Sequence, residues 1–242
     1  MRTRIISKIE IKSDQVVKPI FFEGLKKIGN PKDIIKSHLK QNIDEIIIID
    51  IVASLYQRQI NFNLLNKITN NVNIPITLGG GIKTIKDISK LLKIGADKIA
   101  VNTSFLNRDV NLLNQSSKLF GSQCIVVDIN SKFIDGDWYC MTDNGRINSK
   151  KKVVDWIIEC QDRGAGEILL QSIDVDGSMN GPDIKLLDKV EKHIEIPLII
   201  ASGIGSYQHI YKLKKYNPDA ICISSALHYK KLNINNIKKN LI

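Results

Sequence analysis

Short runs of Ile, Val and Leu alternate along the chain with longer stretches in which apolar residues recur every three or four positions. The runs RIISKIEI, EIIIID, PITL, KIAV, CIVVDI, EILLQ, PLIIA and AICI read as eight strands. The intervening PKDIIKSHLKQN, TIKDISKLLKIGA and KKVVDWIIECQDRGA read as amphipathic helices, several of them ending at a glycine. Strict alternation of the two patterns predicts repeated βα units around a parallel sheet. The spacings then repeat. Glu45, Pro75 and Asp97 match Glu167, Pro197 and Asp219, each pair 122 residues apart, and the stretches NIPITLGGGI and GADKIAVNTS align with EIPLIIASGI and NPDAICISSA. Four βα units per half predict a closed (β/α)8 barrel, a TIM barrel built from two similar half-barrels. One segment breaks the rhythm: FIDGDWYCMTDNGR, with its DG and NG turn signals, predicts a β-hairpin after the fifth strand.

Length agrees with this pattern, since 242 residues is close to the roughly 250 of such a barrel. A single domain over residues 1–242 is expected, with half-barrels over approximately 1–121 and 122–242. The 43% hydrophobic and 25% charged fractions are those of a soluble globular protein. No apolar run approaches the ~20 residues that span a bilayer, and MRTRIISKIEIKSDQ carries no secretory pattern, so a cytoplasmic location away from membranes is expected. The cysteines (124, 140, 160 and 222) and histidines (38, 193, 209 and 228) show no metal-ligand spacing. No metal and no cofactor is therefore expected. The net charge of +10 raises nucleic acid as a partner, but the lysines scatter over helical faces with little aromatic interleaving. An anionic small molecule accounts for the charge equally well.

Candidate chemistry gathers where strands end. Gly79, Gly80 and Gly81 follow the third strand, where backbone N–H groups can approach an anion with no Cβ in the way. An isolated GGG is compatible with a plain tight turn; Gly203, at the symmetric place in ASGI, favours a phosphate cradle. Asn102 and Thr103 end the fourth strand, and Ser224 and Ser225 end the eighth, adding hydrogen-bonding groups at both cradles. Two matched cradles predict a ligand with two phosphates. Between them, Glu10 ends the first strand and Asp128 and Asn130 the fifth, the latter pair on one face with Asp128 a layer deeper. Paired carboxylates across a mouth suit general acid–base work. Asp50, Asp174 and Asp176 lie at or beyond other strand ends, with Asp176 and Gly177 available to the second phosphate. Lys18, in the long loop expected after the first strand, is a candidate mobile cation over the ligand. At the opposite pole Arg4, Glu45, Lys98 and Glu167 each begin a strand and alternate in charge, which reads as a stabilising ionic ring.

Taken together, RIISKIEIKSDQVVK, EIIIIDIVAS, PITLGGGI, GADKIAVNTS, FGSQCIVV, GAGEILLQSIDVDG and IPLIIASG closely resemble the cyclase (synthase) subunit of imidazole glycerol phosphate synthase, over essentially the whole chain. The resemblance implies a glutaminase (HisH-type) partner docked on the bottom face. It also implies ammonia passing through the barrel to a bisphosphate ribonucleotide at the top, which is cleaved and cyclised to imidazole glycerol phosphate in histidine biosynthesis. Arg4, Glu45, Lys98 and Glu167 then match the family's charged ring at the ammonia entrance, and Asp97 matches a position at the glutaminase interface. The top face departs from the family: its two catalytic aspartates fall at Glu10 and Asn130, and Asp128 stands where a small residue is usual. Further departures are Pro19 for a loop glycine, Gln171 for threonine, Val175 for arginine, and a one-residue shortening that leaves Ile204 in place of a glycine pair. A neutral amide at 130 exchanges no proton. This raises an alternative, in which cyclisation is lost and ammonia passes to a separate accepting enzyme, as in divergent members associated with acetamidino groups on bacterial surface-polysaccharide sugars.

Overall fold

The computed structural model describes residues 2–56, 58–70, 72–108 and 111–241. Eight parallel strands close on themselves: β1 (Arg4–Lys12), β4 (Glu45–Asp50), β5 (Ile76–Gly79), β6 (Lys98–Val101), β7 (Ile125–Ile134), β10 (Glu167–Ser172), β11 (Leu198–Ile200) and β12 (Ala220–Ile223). The ring is completed where Arg4 of β1 pairs with Ala220 of β12, and its two halves also meet where Glu167 of β10 pairs with Val126 of β7. This is the (β/α)8 barrel that the alternation of patterns predicts.

The 122-residue register recurs in the hydrogen bonds. Asp97 Oδ2 accepts from Ile76 N at 2.8 Å, and Asp219 Oδ2 accepts from Leu198 N at 2.9 Å. Ile46 N and Ile168 N donate to the carbonyls of Pro75 and Pro197. Thr84 caps the helix Ile85–Lys93 and Ser206 caps the helix Tyr207–Leu213, each through its hydroxyl oxygen to the backbone N–H three residues on. Asp97 thus ties the starts of two strands together.

Alternation within each strand makes two apolar layers. Ile5, Ile9, Ile46, Ile48 and Val127 face outward beneath the helices, whereas Ile6, Ile47, Val126, Leu169, Ile199 and Ala220 fill the barrel interior. Each large aliphatic side chain buried there contributes about 1.5–3 kcal/mol. The inner plug lies between the charged bottom ring and the mouth. Outside the wall, His38 and His228 stack with ring centroids 5.6 Å apart, and burial pulls both down to about 4.

Both halves carry a strand extension at the mouth. In the second, β7 runs on past the barrel rim and turns at Asp135-Gly136 into β8 (Asp137–Thr142) and β9 (Ile147–Lys152). That hairpin is the one expected from FIDGDWYCMTDNGR. The first half differs from expectation: the stretch after the first strand is no loop but β2 (Gln15–Ile20) and β3 (Glu23–Gly29), antiparallel to each other. QVVKPI forms a short strand without alternation, covered on both faces, with Val16, Val17 and Lys18 all buried. Lys18 accordingly sits on a strand.

Candidate active site at the barrel mouth

Two clefts open between the strand ends. The first is bordered by Gly80, Gly81, Thr103, Asp50 and Asp128; the second by Gly177, Gly203, Ser224, Ser225 and Asp176. The glycine turns are obligatory in form. Gly80 has φ +96° and a Cβ there would lie 2.2 Å from the Asp50 carbonyl oxygen; Gly203 has φ +73° and a Cβ would lie 1.9 Å from the Gly181 carbonyl oxygen. The two halves are nonetheless furnished differently. At the place corresponding to Gly80 the second half has Ser202, also left-handed at φ +74°, whose hydroxyl donates to Asp176 Oδ1 at 3.1 Å.

Between the clefts lies a buried network. Lys18 Nζ reaches Glu10 Oε2 at 2.7 Å and Asp176 Oδ2 at 2.9 Å. Lys8 Nζ takes the other Glu10 oxygen at 3.0 Å and donates to Gln171 Oε1. Ser224 Oγ donates to Glu10 Oε2 at 3.2 Å. The amide of Gln171 then donates to Asp128 Oδ1 at 2.6 Å and to Asn130 Oδ1 at 2.9 Å. Glu10, Asp128 and Asn130 are therefore joined through Lys8 and Gln171 rather than by direct contact.

The two carboxyl groups are shifted in opposite directions. Burial pushes Glu10 up, but Lys18 and Lys8, each hydrogen-bonded to one of its oxygens, overcome this and hold it at about 2. Burial pushes Asp128 up to about 6, against the pull of Lys8 and the hydrogen bond from Gln171. Glu10 is thus a fixed anion, and Asp128 is poised to exchange a proton near neutrality.

The other candidates have more structural duties. Asn102 Nδ2 donates to the carbonyls of Asp128 and Met141, at 2.8 and 3.2 Å, and pins the β7–β8 hairpin to the rim. Thr103 Oγ1 donates to Asn102 Oδ1 and accepts from Asp143 N, both at 3.1 Å. Asp50 accepts twice from Arg58 Nη2, at 3.2 and 3.3 Å, and burial raises its pKa against that pull. Asp174 Oδ2 accepts from Phe133 N at 2.8 Å and braces the hairpin. Lys18, expected as a mobile cation, is instead buried and doubly ion-paired. Above it the turn between β2 and β3 places Phe22 over the mouth, against Met141 and Ile173.

At the bottom pole the four charged residues close into a ring. Arg4 pairs with Glu45 at 2.5 Å and with Glu167, and Lys98 pairs with Glu45 at 3.2 Å and Glu167 at 2.8 Å. Thr77 Oγ1 donates to Glu45 Oε1 at 3.0 Å. The glutamates are almost wholly buried, whereas Arg4 is about a third exposed to the outside of that face.

Residues that sequence reasoning left without a role include Lys8, Arg58, Gln171 and Ser202. Lys8 had a signal, because a lysine two positions before Glu10 on a strand shares its inward face. Among the described residues no group of three His, Cys, Asp or Glu side chains is placed to hold a metal, and no helix is long and apolar enough to cross a membrane.

Fold and mouth together define a duplicated (β/α)8 barrel with its polar machinery at the C-terminal ends of the strands, the face at which enzymes of this architecture work. A family model described as histidine biosynthesis protein matches residues 4–233. The chain is 39% identical over 240 residues to the imidazole glycerol phosphate synthase subunit HisF of Hydrogenobaculum sp. (strain Y04AAS1), covering 98% of this chain and 95% of the relative. It is 36% identical to the same subunit of Flavobacterium johnsoniae, with 98% and 95% covered, and 40% identical to that of Legionella pneumophila, with 88% and 98% covered. The chain belongs to the HisF family of cyclase subunits within the histidine-biosynthesis proteins.

Proposed function

We propose that this protein is the cyclase subunit of an imidazole glycerol phosphate synthase, in which ammonia released by a glutaminase partner enters at the ionic ring. The ammonia crosses the barrel and cleaves and cyclises a bisphosphate ribonucleotide held between the two clefts. The observation that carries the proposal is the mouth's division of labour: Asp128, pushed up to about 6, linked through Gln171 and Lys8 to Glu10, which two lysines hold at about 2. Asp128 takes the proton-exchanging role that Asn130 cannot fill, and Asn130 offers hydrogen bonds only. The apolar interior of Ile6, Ile47, Val126, Leu169, Ile199 and Ala220 supports passage of neutral ammonia and disfavours ammonium, whose desolvation is costly. The purified chain, given an ammonium salt and the bisphosphate ribonucleotide, should form the imidazole product. Formation no faster than in a Glu10→Ala control sinks the cyclase reading.

One observation favours a second reading. Glu10 is clasped by Lys8 and Lys18 and the residue at 130 is an amide, so the mouth offers fewer free proton-exchanging groups than a pair of aspartates would. In that reading the barrel delivers ammonia to a separate enzyme that builds an amidine, such as an acetamidino group on a surface-polysaccharide sugar. It is distinguished by glutamine hydrolysis in the partner complex without any imidazole product.

A further inference from the structure

Lys8 stands apart from the other cations of the mouth by its place. It projects from the inner face of β1, is almost completely buried, and borders both clefts, as does its partner Gln171. Lys18, by contrast, borders the second cleft and not the first. An ammonium has three donors. Two from Lys8 are directed at Glu10 Oε1 and Gln171 Oε1, and the Phe22 ring lies 5.7 Å from its Nζ. The third donor is available to a ligand oxygen at the boundary of the clefts. Burial lowers the lysine's pKa, but Glu10, then Asp176 and Asp128, outweigh it and keep the lysine charged. A charged, strand-mounted donor between two anion cradles meets the connecting part of a ligand that spans them, while the glycine turns meet the ends.

We propose that Lys8 is a substrate-binding residue that donates to an oxygen, hydroxyl or carbonyl, in the segment joining the two phosphates of a bisphosphate ligand. This rests on reading the mouth as a bisphosphate site. It assigns Lys8 a role separate from phosphate capture, and it predicts a split between ligands. The test follows inorganic phosphate at the Gly81 and Gly203 backbone amides by NMR, and the bisphosphate ribonucleotide by calorimetry, in the full chain. In Lys8→Met, with folding checked by thermal melting, phosphate affinity at both amides should change less than twofold, while bisphosphate affinity falls at least tenfold. Lys8→Arg should recover part of that loss. Lys18→Met should weaken phosphate at Gly203 and leave Gly81 unchanged. A Lys8→Met variant in which both affinities fall together, or neither falls, overturns the inference and leaves the bisphosphate site intact. A wild-type protein that binds neither ligand overturns the bisphosphate reading, and the role of Lys8 with it.

Discussion

At the scale of single residues, the mouth turns on how two buried carboxyl groups are compensated. Glu10 has a lysine on each oxygen, so its stabilisation is fully present above the ordinary carboxylate range and is lost only as pH falls toward about 2. Asp128 has a single amide donor and feels Lys8 from farther off, so burial wins and its pKa rises to about 6. The sign is opposite to that of Glu10: ionising Asp128 costs the folded state stability, a cost absent below the ordinary value and complete above pH 6. Asp128→Asn should therefore stabilise the fold at pH 7.5 relative to pH 4, read by thermal melting at the two pH values. The same variant should lower ammonium-driven turnover by about 10²–10⁴ and remove an ionisation near pH 6 from the rate profile. An unchanged profile would show that some other group moves the proton.

At the scale of elements, the paired hairpins decide what the mouth looks like. The β7–β8–β9 extension was legible in the chain because DG and NG turns interrupt a clear alternation. The β2–β3 extension was not, since QVVKPI is short, contains Pro19, and turns at Phe21-Phe22, two bulky residues with φ of 52° and 63° where glycine or asparagine would be the usual signal. Tertiary packing settles that turn: Phe22 packs against Met141 and Ile173 of the opposite half. For the same reason Lys18 read as mobile from sequence, whereas its partner Asp176 is 158 residues away and invisible to local pattern. Loss of the aromatic ring should free the first hairpin without melting the barrel. Phe22→Ala is expected to cost about 3 kcal/mol locally, seen as roughly 100-fold faster amide exchange in β2 and β3 with the exchange of β4 and β5 unchanged. Equal acceleration everywhere would mean that the hairpin is integral to the barrel's cooperative unit.

At the scale of the whole molecule, polarity is sorted along the barrel axis: a closed ionic ring, then an apolar plug, then a charged network beneath two clefts bordered by glycine turns. The four charged residues that start strands and the glycine turns that end them follow from the strand pattern and the 122-residue repeat and were readable as such, whereas the apolar plug between them was not singled out. The bridging of Glu10, Asp128 and Asn130 by Lys8 and Gln171 was not, because it depends on which long side chains meet across the barrel. The axial order fits ammonia admitted at one pole and used at the other, and Arg4, about a third exposed and paired with both ring glutamates, is the ring's outermost cation. The most direct test is the ratio of glutamine-driven to ammonium-driven turnover in the complex with the glutaminase partner, compared between wild type and Arg4→Ala. Delivery through the barrel predicts an ammonium-driven rate within about twofold of wild type and a glutamine-driven rate at least tenfold lower. Two rates that fall together, or a ratio that does not change, would contradict it.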